Sequence, residues 1–240
     1  QEHAAMRMSI DALLDLTQRY EAAARAAGDD ALADVLRHVP AYGARTFREA
    51  LQSFRIIHYC LWLEGDYHVT VGRFDQYMLP YLVSDMEKGT LDYQGALDTV
   101  ENLFITFNKD SDLYIGLQMG DNGQSMVLGG MDADGNEVFN LLSEMCLEAS
   151  GNLLMIDPKI NLRVSSDTPD EIYALGTELT KAGLGFPQYS NDDVVIDALV
   201  RKGYDLEDAR DYVVAACWEF IIPKYGMDID NIAALNFPKV

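Results

Sequence analysis

The chain has 240 residues, 49% of them hydrophobic, with 39 acidic and 18 basic side chains and a formal net charge of −21. That length is enough for a substantial core in one domain or two. The charge argues against nucleic acid or an anionic membrane surface as a partner, because both are bound through basic patches.

Residues 4–37 are rich in Ala, Leu, Arg and Glu, with apolar positions at helical spacing (Leu13, Leu14, Leu16, Tyr20). Gly28-Asp29-Asp30 divides them into two helices, the second ending before Pro40. A third helix is expected from about Thr46 to Leu63, with Thr46 as N-cap and Glu49 as its capping-box partner. Phe47, Leu51, Phe54 and His58 line one side of it, and a histidine there is more often a satisfied helix residue than a ligand. The turn Glu64-Gly65-Asp66-Tyr67-His68 follows, and His68 could line a site.

In Val71–Pro80, Arg73 and Asp75 are expected to form a structural ion pair. Residues 90–107 are helical in pattern, and Asp110–Met119 alternates as a half-buried strand. Next come a strand from Met126, a turn through Gly129-Gly130 and Asp132–Asn136, and a helix to Ala149. The D-A-D-G-N piece fails as a calcium loop, since Glu137 and Ser143 stand where an EF-hand needs Gly and Glu. Pro158–Val164 is strand-like. Thr168 should cap a helix that runs to Lys181 and stops at Gly183. Ser190-Asn191-Asp192-Asp193 opens another helix ending at Gly203, and Asp205 caps a short one after it. Helices alternating with strands predict an α/β fold with the strands inside.

Tyr212–Pro223, Y-V-V-A-A-C-W-E-F-I-I-P, reads as one buried strand. Regular alternation would then put Cys217 and Glu219 on one face, ~6.6 Å apart, and turn Trp218, Phe220 and Ile222 the other way into packing. Nothing within five residues of Cys217 is basic, so its surroundings favour a neutral S–H over a thiolate. Free cysteines usually just pack, whereas a buried Glu219 needs a reason to be there.

No hydrophobic run reaches the ~20 residues that span a bilayer, and no signal-peptide pattern opens the chain. Cys60, Cys146 and Cys217 are far apart and odd in number, which gives neither a disulfide framework nor a metal-ligand set and fits a reducing cytoplasm. Starting at Gln1 and ending at Val240, the sequence is expected to be an excerpt from something longer.

The order of motifs carries a resemblance. R-F-D-Q-Y-M-L-P-Y (73–81), V-L-G-G-M-D-x-x-G-N-E-x-x-N-L-L-S (127–143), P-K-I-N-L-R-V (158–164), T-P-D-E (168–171), G-L-G-F-P-Q-Y-S-N-D-D (183–193), G-Y-D-L-E-D-A-R-D-Y (203–212) and A-C-W-E (216–219) follow one another. This succession resembles the glycyl radical enzymes, the pyruvate formate-lyase-like family, over about residues 40–240. The resemblance implies part of a ten-stranded barrel with helices outside. Residues 1–40 would be an N-terminal helical segment, and 41–240 a barrel portion ending just after a cysteine finger loop.

It also implies a radical relay. A C-terminal glycine loop, usually written R-V-x-G-Y, is made into a protein radical by an activating enzyme that uses S-adenosylmethionine and an iron–sulfur cluster. Cys217 matches the cysteine that passes the radical to substrate, and Glu219 matches the carboxylate of the C-x-E branch, a base or acid beside the substrate carbon. Asp230 and Asn231 fall where dehydratases of the family contact a substrate hydroxyl. Ala216 stands where pyruvate formate-lyase has a second cysteine, which argues against the two-cysteine cleavage of pyruvate. Trp218 replaces a usually small residue and Phe220 a common proline. No R-V-x-G-Y occurs in the 240 residues.

The implied function is therefore hydrogen abstraction from a small hydroxylated molecule followed by elimination, with no other bound cofactor or metal. Alternatives are a carbon–carbon lyase, acyltransferase or decarboxylase of the same family, or a split or degenerate subunit awaiting a glycine-bearing partner. The expected partners are the small-molecule substrate, the activating enzyme, a glycine-bearing domain or chain, and a second copy in a homodimer.

Overall fold

A computed structural model describes residues 2–63, 69–109 and 123–226. Along them run α1 (Glu2–Ala26), α2 (Asp30–His38), α3 (Phe47–Leu63), α4 (Phe74–Tyr77), α5 (Leu79–Glu87) and α6 (Tyr93–Lys109). Then come β1 (Ser125–Gly129), α7 (Leu141–Leu153), β2 (Lys159–Val164), α8 (Asp170–Lys181), β3 (Gln188–Asn191), α9 (Asp192–Arg201), α10 (Leu206–Arg210), β4 (Val213–Ala215) and β5 (Glu219–Ile221). The chain divides into two compact units, residues 1–65 with 77–103, and 66–76 with 104–240. Among the described residues no helix is long and apolar enough to cross a membrane.

The first unit is helical. Gly28, at φ +81°, makes the break between α1 and α2, and Asp29 caps α2 by accepting from Leu32 N at 2.9 Å. At the start of α3 only half of the expected capping box forms. Glu49 N donates to Thr46 Oγ1 (3.2 Å), but the Glu49 carboxylate accepts from Arg45 N (2.7 Å) and the Arg45 guanidinium instead. That guanidinium holds the Glu49 carboxyl below the ordinary carboxylate range. A second cap comes from far along the chain, where buried Asp85 of α5 accepts from Phe47 N at 2.8 Å. His58 is buried on α3, takes a hydrogen bond from Arg55 (3.3 Å) and lies beside the Phe54 ring.

The second unit is built on three parallel strands in the order β1-β2-β3, with α7 and α8 as the crossovers between them. All of β1 and β2 is buried, as expected of a parallel sheet covered on both faces. The register pairs Ser125 with Lys159, Val127 with Asn161 and Gly129 with Arg163, and then Asn161 with Gln188 and Arg163 with Ser190. Side chains of these residues share one face of the sheet. A full capping box opens α7: Asn140 accepts from Leu142 N and Ser143 N, and Ser143 Oγ accepts from Asn140 N. The loop before it closes on itself, with Asp132 accepting from Asp134 N and Asn136 N.

Several local expectations change. β3 lies where the sequence signals only a helix start; its Asn191 both ends a strand and caps α9 by accepting from Asp193 N. Thr168 does not cap α8: its hydroxyl accepts from Ser165 N (2.9 Å) and donates to Glu137 (2.8 Å), and Pro169 holds the cap position. Arg73 is paired with Asp211 (3.3 Å) and Gly129 O (3.3 Å) rather than with Asp75. Asp75 lies under α7, accepting from Gly129 N (2.7 Å) and Ser143 Oγ (2.6 Å), and burial pushes its carboxyl above the ordinary range. The strand expected at 110–119 lies outside the described residues.

Candidate functional site

The stretch expected to be one strand is a hairpin. β4 and β5 pair antiparallel, Val213 with Ile221, Val214 with Phe220 and Ala215 with Glu219, around the turn Ala216-Cys217-Trp218. Ala216 takes φ +43°, the left-handed bend that reverses the chain. The turn is then held by its own carboxylate, since Glu219 Oε2 accepts from both Cys217 N and Trp218 N at 3.0 Å. Cys217 and Glu219 do meet, through a turn rather than through strand alternation.

The hairpin reverses the expected burial. Cys217 and Glu219 are exposed at its tip, and so are Trp218 (57%) and Phe220 (43%), which were expected to face into packing. Cys146 contrasts with Cys217: it is fully buried in α7, and burial pushes its thiol well above the ordinary value.

The other side of the hairpin is anchored. Ser125 Oγ, at the start of β1, donates to Ala216 O at 2.6 Å. Tyr212, Val213, Val214 and Ile222 join Val127, Ile196, Leu199 and Ala209 in one apolar cluster. Tyr212 also packs edge-on against Phe220, with ring centroids 5.6 Å apart.

Beneath Tyr212 lies a fully buried ion pair that sequence reasoning missed. Arg163 of β2 donates through Nε and Nη2 to the two oxygens of Asp192, both at 2.9 Å, and neither side chain is exposed. Tyr212 OH donates to the same carboxylate at 2.7 Å, and Met131 N does so at 3.0 Å. The guanidinium lies 4.0 Å from the Tyr212 ring centroid. Burial, ahead of the opposing pull of Arg163, pushes the Tyr212 hydroxyl far above its ordinary pKa. The missed signal was a charge inside the otherwise buried strand K-I-N-L-R-V, which demands a partner. Gly130 makes room for it: at φ +83°, an added Cβ would stand 2.5 Å from Arg163 Nε.

His68, Asp230 and Asn231, the expected substrate contacts, lie outside the described residues. Among the described residues no group of three or more His, Cys, Asp or Glu side chains could hold a metal ion.

A family model described as pyruvate formate lyase-like matches residues 1–240. The chain is 32% identical over 203 residues to (2S)-3-sulfopropanediol dehydratase of Klebsiella oxytoca, covering 82% of this chain and 25% of that protein. It is 31% identical over 247 residues to isethionate sulfite-lyase of Bilophila wadsworthia, covering 95% and 30%. Among solved structures, one on 1,2-propanediol dehydration in Roseburia inulinivorans superposes with a TM-score of 0.80 at 31% identity, covering 89% of this chain and 29% of the other. The hydroxyproline dehydratase of Clostridioides difficile, with trans-4-hydroxy-L-proline bound, gives a TM-score of 0.80 at 26% identity, covering 88% and 29%. The chain thus spans about a quarter to a third of the length of the proteins it matches.

Proposed function

The chain belongs to the pyruvate formate lyase-like family and has the fold of part of a glycyl radical enzyme barrel, and from that premise we propose that it serves a dehydratase-type lyase acting on a small hydroxylated molecule. The observation that carries this reading is the Cys217–Glu219 turn, in which a thiol and a carboxylate share the tip of one hairpin. Dehydratases and a sulfite-lyase among the relatives support elimination as the reaction class.

When present, the family's glycyl radical supplies the unpaired electron. Cys217 would give up the hydrogen atom of its S–H to that radical, and its sulfur radical then removes a hydrogen atom from the substrate carbon that bears a hydroxyl. The Glu219 carboxylate takes the proton of that hydroxyl, or hands a proton to the leaving group, as a general base or acid. The leaving group departs from the neighbouring carbon with its electron pair. Cys217 finally returns a hydrogen atom to the product radical. The step needs an S–H hydrogen, and among the described residues the side chain bonded to the turn amides of Cys217 and Trp218 is an acidic one. Ala216, in the place of a second cysteine, favours elimination over two-cysteine acyl transfer.

In this reading His68, Asp230 and Asn231 contact substrate, residues 1–40 form a helical segment ahead of the barrel portion 41–240, and the enzyme works in the cytoplasm, as a homodimer, with a radical S-adenosylmethionine activating enzyme and a glycine-bearing segment or partner. The test is to supply both and to offer propane-1,2-diol, glycerol, isethionate and trans-4-hydroxy-L-proline. Cys217→Ser should abolish turnover, and Glu219→Gln should lower it by about 10²–10⁴-fold. Full turnover in Cys217→Ser would sink the reading; consumption unaffected by Glu219→Gln would sink elimination.

A further inference from the structure

We infer that Arg163 is a positioning residue: with Asp192 and Arg73 it clamps the segment Arg210–Tyr212 and thereby sets where the hairpin presents Cys217. The hairpin cannot set its own place. Each arm is only three residues long, and a two-stranded ribbon of that size is not stable alone in water. Its position must come from what grips its base and its tip.

The grip on the base is continuous over three residues. Arg163 Nη2 donates to Arg210 O (2.8 Å), and Arg163 Nη1 donates to Tyr212 O (3.1 Å). Between them the Asp211 carboxylate takes Arg73 (3.3 Å). Tyr212 adds its hydroxyl bond to Asp192, while its ring reaches across to Phe220 on the other arm, the residue after Glu219. Arg163 thus makes four hydrogen bonds, two to its ion-pair partner and two to the backbone leading into β4. The rigid fork of a guanidinium is suited to this, because its donors diverge in fixed directions that a lysine cannot match.

At the tip, Ser125 Oγ donates to Ala216 O, the residue before Cys217. Register places Ser125 two positions along β1 from Val127 and four from Gly129, the partner of Arg163. Tyr212 and Ala216 are likewise four residues apart, ~13 Å in an extended chain. Base and tip contacts therefore match the spacing of the sheet below, and a shift at the base would move the thiol. Hydrogen transfer depends steeply on such placement, and an error of 1 Å can cost about 10²-fold.

This inference rests on the radical-thiol reading of Cys217 only in its second test. In the first, Arg163→Met with Asp192→Leu replaces the buried pair by apolar groups, a change that often leaves global stability intact. Backbone hydrogen exchange then compares β4 and β5 with β1 and α7 in the same chain. The expected result is exchange in β4 and β5 faster by about tenfold or more, with β1 and α7 unchanged. Equal loosening of all four elements, or no change in any, overturns the clamp. If that variant fails to fold, Tyr212→Phe, which keeps the ring and removes the Asp192 bond, is read by the same criterion. In the second test, the activated enzyme carrying its glycine loop is placed in D₂O, and electron paramagnetic resonance follows deuterium entering the glycyl α-position by way of the Cys217 S–D. The variant should slow this about tenfold or more at unchanged radical content, and an unchanged rate overturns the positioning role. Cys217→Ser separates the two ideas: deuterium entry that survives it defeats the thiol assignment, while protection of β4 and β5 still decides the clamp.

Discussion

Removing the Asp192 carboxylate should be among the most damaging single changes in the second unit. Asp192 accepts four hydrogen bonds, from Arg163 Nε and Nη2, Tyr212 OH and Met131 N. It and Arg163 are fully shielded from solvent, so no screening discount applies. Breaking one partner out of such a pair costs about 3–5 kcal/mol, because the remaining charge stays buried. The stranded Tyr212 hydroxyl and Met131 amide add roughly 1 kcal/mol each. Asp192→Ala should then lose about 5–7 kcal/mol, a large part of the ~5–15 kcal/mol that holds a typical domain together. Equilibrium urea unfolding followed by tryptophan fluorescence and far-ultraviolet circular dichroism measures it. With a slope of about 2 kcal/mol per molar urea, the midpoint should fall by about 2.5–3.5 M. A fall of less than about 0.5 M, the size of an exposed pair, would refute the placement of this carboxylate in a dry interior.

Three further outcomes follow from the same geometry. Burial raises the Asp75 carboxyl, so the folded state binds its proton more tightly than the unfolded chain does. That contribution is present below the unfolded pKa and is lost as pH rises through the folded one; Asp75→Asn should remove this acid-side advantage, measured as the difference between urea midpoints of variant and parent across the acid range. Iodoacetamide should label exposed Cys217 in the native protein and buried Cys146 only after unfolding, as read by peptide mass spectrometry. Gly130→Ala should cost at least about 2 kcal/mol, since it combines a left-handed backbone with a clash into Arg163, whereas Gly183→Ala, at φ +88° with open space around it, should cost only about 1–2; thermal denaturation of the two variants orders them.

Much of the fold is legible in the sequence because local signals and tertiary need agree. Gly28 breaks α1 from α2, and the alternation of apolar strands with capped helices announces β1-α7-β2-α8 before any contact is known. The signals fail where one residue serves two elements. Asn191 caps α9, and its polar neighbours hide the fact that Gln188–Asn191 also completes the sheet. Thr168 has the chemistry of an N-cap, but Glu137, 31 residues earlier, takes its hydroxyl. Arg73 and Asp75 look like partners two residues apart, yet each is claimed by a group that only the fold brings near: Asp211 for one, Gly129 N and Ser143 for the other.

The candidate site shows the same division more sharply. That Cys217 and Glu219 belong together could be read from their spacing, but how they meet could not. Y-V-V-A-A-C-W-E-F-I-I-P has the composition of a strand as far as its closing Pro223, with no glycine, asparagine or proline between Tyr212 and Ile222 to mark a reversal. The chain reverses at Ala216, a residue that adopts φ +43° only under compulsion from its surroundings. Those surroundings are distant in sequence: Ser125 grips its carbonyl, and the Glu219 carboxylate satisfies the two amides that the turn leaves without strand partners. Glu219 thus pulls against strand continuity, and in the proposed reading the same carboxylate is the acid–base group. Because the Glu219 carboxylate holds the amides of Cys217 and Trp218, Glu219→Gln should weaken the turn as well as any chemistry that the proposed reading assigns to it.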